Sequence, residues 1–437
     1  VMKPVIIGDI LCRIKRPICL DPVSCYKLVT VKLYHKGVVL REEKLGADIK
    51  SKMYQIKEGD FILSGIDARN GAFGIVPPEL DGAVVTNDFW YFEIDDEVVD
   101  KNFFLELTAT TWFDDICRKG SDGTTQRIRL QKGKFFNQTI YLPDLTEQRI
   151  LSKRFQAIKS REKLLSSELV HQQMLLKKLR QQILQEAIEG KLTAEWRSHN
   201  PDIEPASELL KRIAAEKAEL VKAKKIKPQK PLPPIKAEEK PFDLPQGWEW
   251  CRFQDEAEIC SNLVSPYDYY DLPHIAPNHI EKNTGKLLPY KSAREDKVIS
   301  GKHLFYTGQL LYSKVRPQLN KVAFAPCKGL CSADMYPIET YVNPSYLQKV
   351  MLSQYFLDQV NRFDNRVKMP KINQNQLSSI IIPCPPSSEQ QAIVAKVEKL
   401  LTLCDQLETQ ITQNQTHAQQ LMQAVLKEAF NPNSQTP

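Results

Sequence analysis

LRQQILQEAIEG (179–190) and LMQAVLKEAFNP (421–432) are near-copies of one another, and each closes a long run with helical periodicity. Upstream of them, TIYLPDLTEQ (139–148) and SIIIPCPPSSEQ (379–390) each end a strand-like run in prolines and open the same pattern. An offset of 242 residues, which carries Gln148 onto Gln390, holds without a gap from Glu147 to Ala187 and from Glu389 to Ala429. Alternating steps of four and three through the first copy pass Leu151, Phe155, Ile158, Leu165, Leu169, Leu176, Leu179 and Ile183, with Glu162 and Gln172 as polar members. The second copy passes Ile393, Val397, Leu400, Leu407, Ile411, Leu421 and Val425, with Cys404, Asn414 and Ala418 between them. Apolar residues recurring at these spacings, with charged and Gln-rich residues elsewhere, form the seam of a coiled coil. A helix over 147–189 is ~64 Å long at about 1.5 Å per residue. Equal phase over the full length predicts that the two helices pair with each other. The spacing does not say whether they run parallel or antiparallel.

The repeat continues upstream more faintly. GDFILSGIDARNGAFGIVP (59–77) lies over GQLLYSKVRPQLNKVAFAP (308–326), matching Gly59 to Gly308 and Ser64 to Ser313. Gly37 matches Gly285, and GDI (8–10) falls near QDE (254–256). The chain therefore reads as domain, helix, linker, domain, helix. Short β-rich runs (FILSGI, VVTNDFWYFEI, QLLYSKV, KVAFAP, SSIIIP) alternate with helical patterns such as NPSYLQKVMLSQYFLDQV, which predicts two similar α+β domains. The expected boundaries are 1–145 and 245–386 for the domains, 146–190 and 387–432 for the helices, and 433–437 for a tail. Between them, 191–244 reads as a linker: a charged helix (ASELLKRIAAEKAELVKAKKIK), then an extended proline-rich stretch.

Composition narrows the function. The 437 residues carry a net charge of +7, which permits a polyanionic partner. Of ten cysteines only Cys327 and Cys331 lie close together, and no second Cys or His pair nearby completes a zinc set, so reduced thiols are expected. No apolar run approaches the ~18 residues that span a membrane, and VMKPVIIGDILCRIKRP (1–17) lacks a signal-peptide layout. The expectation is a cytoplasmic protein. GxxxxGK[ST], HExxH and GxSxG are all absent; NPSY (343–346) only loosely resembles a methyltransferase box, and the seven histidines show no ligand spacing. Nothing points to catalysis.

What the domains do offer is polar and basic side chains on short segments between strands. The first contributes Arg69 and Asn70, then Gln126, Arg127 and Arg129 in GSDGTTQRIRL (120–130). The second contributes Lys314, Arg316, Gln318, Asn320 and Lys321 in SKVRPQLNK (313–321), then Arg362, Asn365, Arg366 and Lys368 in NRFDNRVKMPK (361–371). Arg, Lys, Asn and Gln are the side chains that reach base edges bidentately or hold phosphates, so double-stranded DNA is the expected partner.

Taken in order, IYLPDLTEQ, ILQEAIEGKLTAEWR, ASELLKRIAAEKAEL, PFDLPQGWEW, GDFILSGIDARNGAFGIVP, IIIPCPPSSEQ and VLKEAF resemble the specificity subunit of type I restriction–modification enzymes, over essentially the whole chain. The resemblance implies two target recognition domains, each reading half of a bipartite DNA site, and two conserved helices pairing as an antiparallel coiled coil that spaces them. It implies docking of two methyltransferase subunits and, in a full enzyme, of restriction subunits that translocate DNA. S-adenosylmethionine, ATP and Mg2+ would then belong to those partners, with no cofactor or metal in this chain. Two other readings stay open: a duplicated coiled-coil scaffold without DNA specificity, and a nuclease or methyltransferase with cryptic motifs.

Overall fold

A computed structural model describes residues 2–108, 111–123, 128–363 and 370–429, the side chains of 111, 112, 422, 423 and 425–429 excepted. Contacts divide the chain into two compact units, Val1–Val170 with Thr412–Pro437, and His171–Ile411. The division cuts both long helices, Leu145–Ile188 and Ser387–Ala429.

Among the described residues the first unit holds three sheets besides the short pair Ser121–Asp122 with Arg129–Leu130. Lys3–Ile6 pairs with Thr139–Leu142. A four-stranded sheet runs, in spatial order, Leu11–Ile14, Phe89–Ile94, Phe61–Ser64 and Phe73–Ile75. A five-stranded sheet runs Pro17–Ile18, Met53–Gln55, Val84–Val85, Cys25–Val31 and Val38–Leu45. Every residue of FILS (61–64) is buried, as an unbroken apolar run between turn residues predicts. Its Phe61 meets Phe104 edge-to-face at 5.1 Å and 82°, and Phe73 meets Phe113 at 5.1 Å and 88°. That is the geometry the ring quadrupole favours in a phenylalanine-rich core.

The second unit repeats this plan. Glu249–Arg252 pairs with Ile381–Cys384. The four-stranded sheet runs Ala257–Ile259, Met335–Thr340, Leu310–Ser313 and Val322–Phe324. The five-stranded sheet runs Leu263–Val264, Lys302–Phe305, Gly329–Cys331, Pro273–Ile275 and Lys291–Ser292. Ranked along each unit, both four-stranded sheets follow the order second, tenth, seventh, eighth. Both five-stranded sheets follow third, sixth, ninth, fourth, fifth, with the fourth and ninth strands parallel in each. Gly37 and Gly285 share a positive φ (73° and 77°), as do Gly59 and Gly308 (81° and 89°), so the faint upstream matches mark turns that require the left-handed region.

Each long helix is fastened to its own domain by one buried glutamine. Gln148 Nε2 donates to the carbonyl of Pro143 at 2.8 Å, and its Oε1 accepts from the Asp100 N–H at 2.9 Å. Gln390 donates to Pro385 at 2.9 Å and accepts from the Asn343 N–H at 2.9 Å. The proline before the helix leaves a carbonyl that no ladder uses, and the helical amide takes it up. NPSY (343–346) is thereby explained as structure: Asn343 caps the next helix by accepting from the N–H of Ser345 and Tyr346.

In the second unit the two helices run antiparallel. Arg180 pairs with Asp405 and, at 3.0 Å, with Glu408, while Thr193 and Arg197 beyond the first helix reach Glu389 at the start of the second. Residue numbers rise along one partner as they fall along the other. Leu176, Ile183, Ile393, Val397, Cys404 and Ile411 of the expected seam are buried here, and Leu400 is half-buried. Leu179 and Leu407 are 45% and 52% exposed, contrary to the expected stripe. In the first unit Phe155 and Leu169 are buried and Leu151 and Ile158 half-buried, but Leu165 and Leu421 are exposed. The split follows the heptad: Phe155, Leu169, Leu176 and Ile183 share one of its two apolar positions, as do Val397, Cys404 and Ile411, whereas the exposed Leu165, Leu179, Leu407 and Leu421 occupy the other, so one row of each stripe is buried and the second is left partly open. Near its end the first helix also buries Leu184, Ala187 and Ile188. The side chain of Val425 lies outside the described residues.

Residues 191–244 belong to the second unit. Ala206–Lys222 is a helix that buries Ala206, Leu209 and Ile213, and Lys217 donates to the carbonyls of Gln254 and Ala257. The proline-rich stretch is strapped on by Arg252, which donates to Pro233 and pairs with Glu239. The lysines at 222, 224, 225, 227 and 230 are exposed.

Candidate nucleic-acid interface

In the second unit Lys314 leaves the strand Leu310–Ser313 and is fixed by its backbone. Its N–H donates to the Asp334 carbonyl at 3.0 Å, and its own carbonyl accepts from the Ile372 N–H at 3.0 Å. The ammonium lies 5.0 Å from the centre of the Tyr336 ring. Beside it, Lys371 Nζ pairs with Asp334 at 3.0 Å. Lys314, Lys371, Tyr336 and Phe363 line one cavity of about 390 Å3. Asp334 and Tyr336 stand two residues apart where a strand begins, so their side chains leave the same face.

The first unit builds the same arrangement from different residue types. The Gly65 N–H donates to the Asp88 carbonyl at 2.8 Å, and the Gly65 carbonyl accepts from the Leu130 N–H at 2.8 Å. Arg129 Nη1 pairs with Asp88 at 2.7 Å. Trp90 takes the place of Tyr336, and the Arg13 guanidinium sits 4.3 Å from the centre of its ring. A Cβ at Gly65 would lie 3.2 Å from the indole Nε1 of Trp90 and 3.0 Å from the Asp88 carbonyl oxygen. No side chain like that of Lys314 fits there, so the cation over the ring comes from the neighbouring strand. Burial pulls the Arg13 guanidinium below its ordinary pKa.

Other expected contacts divide. Arg316 (φ 49°) and Gln318 are exposed on a short 3-10 turn, Arg362 is exposed at the end of a helix, and Asn70 is exposed with Arg69 half-buried beside it. Asn320 is a correction: it is 2% exposed, and its Nδ2 donates to the Leu352 carbonyl at 3.1 Å, which removes it from any external partner. Lys321 is partly withdrawn too, donating to the Pro277 carbonyl at 2.7 Å. Gln126, Arg127, Asn365, Arg366 and Lys368 lie outside the described residues. They fall in the segments that end at Arg129 and Lys371, two positions related by the helix offset of 242.

The sequence reading passed over Arg13, Asp88, Trp90, Asp334, Tyr336 and Lys371. A signal was present, since NDFW (87–90) and ADMY (333–336) share an Asp-apolar-aromatic pattern at an offset of 246. It also passed over an aromatic and basic surface in the second unit, where Arg294 lies 5.5 Å from the Tyr270 ring centre and Lys328 5.7 Å from that of Tyr306. Among the described residues no group of His, Cys, Asp or Glu could hold a metal ion, and no helix is long and apolar enough to cross a membrane.

Comparison with known proteins agrees with this architecture. The family model for the type I restriction modification DNA specificity domain matches residues 251–415. The specificity subunit of the type I restriction enzyme EcoDI of Escherichia coli is 38% identical over 315 residues, covering 72% of this chain and 66% of that protein. The EcoAI specificity subunit of Escherichia coli is 36% identical over 264 residues, 57% of this chain and 44% of that protein. The matches thus span less than two thirds of either relative. The crystal structure of the HsdS subunit from Thermoanaerobacter tengcongensis shares the fold at a TM-score of 0.58 and 18% identity, covering 99% of this chain and 97% of that one. A chain from a structure of type I R-M complex assembly and conformational transition matches at 0.69 and 18%, covering 99% and 98%.

Proposed function

The chain belongs to the specificity subunits of type I restriction enzymes, and from that premise we propose that it supplies DNA sequence choice to a methylating complex, with no catalysis of its own. The observation that carries this is the duplication: two domains of identical strand order, each presenting a ring-stacked cation and an ion-paired cation at the same place. A bipartite target needs two readers, and backbone phosphates supply most of the affinity while base contacts supply the choice. The two long helices set the spacing between half-sites.

Two methyltransferase subunits are the proposed partners, joined by restriction subunits in a complete enzyme. In support, the long helices expose apolar side chains that their own chain leaves uncovered: Leu164 (71%) in the first unit, and Leu175, Leu179, Leu403 and Leu407 (45–52%) in the second. S-adenosylmethionine, ATP and Mg2+ would be held by those partners. The test is base-resolved mapping of methyl-adenine in the host with and without the gene. Loss of one bipartite methylation pattern on deletion is expected. An unchanged pattern, with the partner subunits still expressed, would leave only a scaffold without DNA specificity.

A further inference from the structure

The carboxylate in each repeated arrangement is unexpected on a surface that binds DNA. Asp88 and Asp334 are held at equivalent positions by one backbone hydrogen bond each, from the Gly65 and Lys314 N–H, and each neutralises a cation that could otherwise meet a phosphate. Both pairs are about half exposed (Arg129 56%, Asp88 46%; Lys371 36%, Asp334 45%). An ion pair this open is screened by solvent and easily exchanged. The second cation of each arrangement stays on its ring and has no carboxylate partner among the described residues: Arg13 over Trp90, Lys314 over Tyr336. It reaches that ring by different routes in the two copies, from the neighbouring strand in one and from the strand end in the other. Strand order is inherited by duplication, but a cation delivered from two different positions to one place is not. The place itself matters.

We propose that each arrangement is a phosphate latch, in which Arg129 and Lys371 exchange their aspartates for a DNA backbone phosphate while Arg13 and Lys314 contact that same phosphate. The proposal rests on the DNA-reading function above and names which groups hold the backbone in each half-site. Without DNA the aspartate keeps the cation in place and lowers the net charge of the surface, which weakens attraction to nonspecific polyanions. With DNA, two cations face one phosphate.

The test uses the full chain in complex with its methyltransferase subunits and duplex fragments of host genomic DNA, with affinity measured against salt concentration. Arg129→Gln and Lys371→Gln should each lower the slope of log K against log salt by about one unit, and together by about two. Asp88→Asn and Asp334→Asn should tighten binding several-fold, because the competing carboxylate is gone. A purely structural ion pair would do the opposite or nothing. Replacing one phosphate per half-site with a neutral methylphosphonate, on the mapped target, should weaken the parent and weaken the corresponding Gln variant less, because there only Arg13 or Lys314 still meets that phosphate. Parental slopes in both Gln variants, or weaker binding by both Asn variants, would overturn the latch while leaving the DNA reading intact. A parent complex that binds no duplex at all would overturn both.

Discussion

Two buried carboxylates of the second unit show how differently one side-chain type behaves once its surroundings are set. Glu389, fully buried, accepts from Trp248 Nε1 at 2.8 Å, Thr193 Oγ1 at 2.7 Å and Arg197 Nη1 at 3.0 Å, and so ties the segment after the first helix to the start of the second. Glu389→Ala would take the acceptor from Trp248 Nε1 and Thr193 Oγ1 and the counter-charge from the Arg197 guanidinium, which would keep only the Gly190 carbonyl; a loss of about 3–5 kcal/mol is expected by denaturant unfolding. Glu256 is as deeply buried but is met only by weak thiol donors, Cys251 at 3.4 Å being one, and its Oε2 has no partner. Desolvation dominates, and its pKa is pushed up from 4.5 to about 7. A carboxyl that holds its proton more tightly when folded contributes stability that is fully present below about pH 4.5 and is lost as pH rises toward 7. The loss is on the order of 3 kcal/mol across that window. Glu256→Gln, permanently neutral, should not show the decline. Parallel pH curves for parent and variant between pH 5 and 8 would refute the assignment.

At the level of elements, the helix pair is held by a small apolar seam and by charges at its border. Burial disfavours the Arg180 charge, but Asp405 and Glu408 outweigh it and hold its pKa above the ordinary value. Reversal in Arg180→Glu replaces attraction by repulsion, and Glu408→Arg in the same chain restores one pair. For half-exposed partners the coupling energy in a double-mutant cycle should be about 0.5–1 kcal/mol. Zero coupling would mean that the two helices do not meet in this antiparallel register. The two glutamine joints belong to this scale as well. Gln148 and Gln390 each bind a proline carbonyl and a helix-capping N–H, so each domain is rigidly continuous with the helix that follows it. A flexible joint there would let a domain turn freely about its helix, and helix length would then set nothing.

For the whole molecule, the proposed role of the helices as a spacer makes a geometric prediction. One heptad inserted at the middle of both helices keeps the apolar stripe in phase. It adds roughly 10 Å, or about three base pairs at about 3.4 Å each. Three pairs also rotate the duplex by on the order of 100°, so protein or DNA must twist to compensate. The expected outcome is an unchanged pair of half-sites, a spacer two to three pairs longer (~10 Å of rise), and weaker binding overall. Selection from a library with randomised spacer lengths, parent and insertion variant side by side, reads this directly. A folded variant that still prefers the parental spacer would show that something other than helix length measures the gap.

The duplication, the two long helices and the α+β character of the domains were legible because they rest on local periodicity and on turn residues that need a particular φ, as at Gly37 and Gly59. Arg129 and Lys314 were legible as candidates from residue type and flanking strands. Helix direction was not, because a heptad stripe has the same period read either way; it takes two contacts far apart in the chain, Arg180 with Asp405 and Arg197 with Glu389, to decide it. The long hairpin of Cys25–Val31 with Val38–Leu45 hid behind a charged outer face (VVLREEKL). Asn320 carries the right chemistry for a base contact, yet the fold spends it on a backbone carbonyl. The latch gathers residues 13, 65, 88, 90 and 129 in one unit and 314, 334, 336 and 371 in the other. No local pattern joins positions so far apart, because it is the crossing of sheet strands that makes them neighbours.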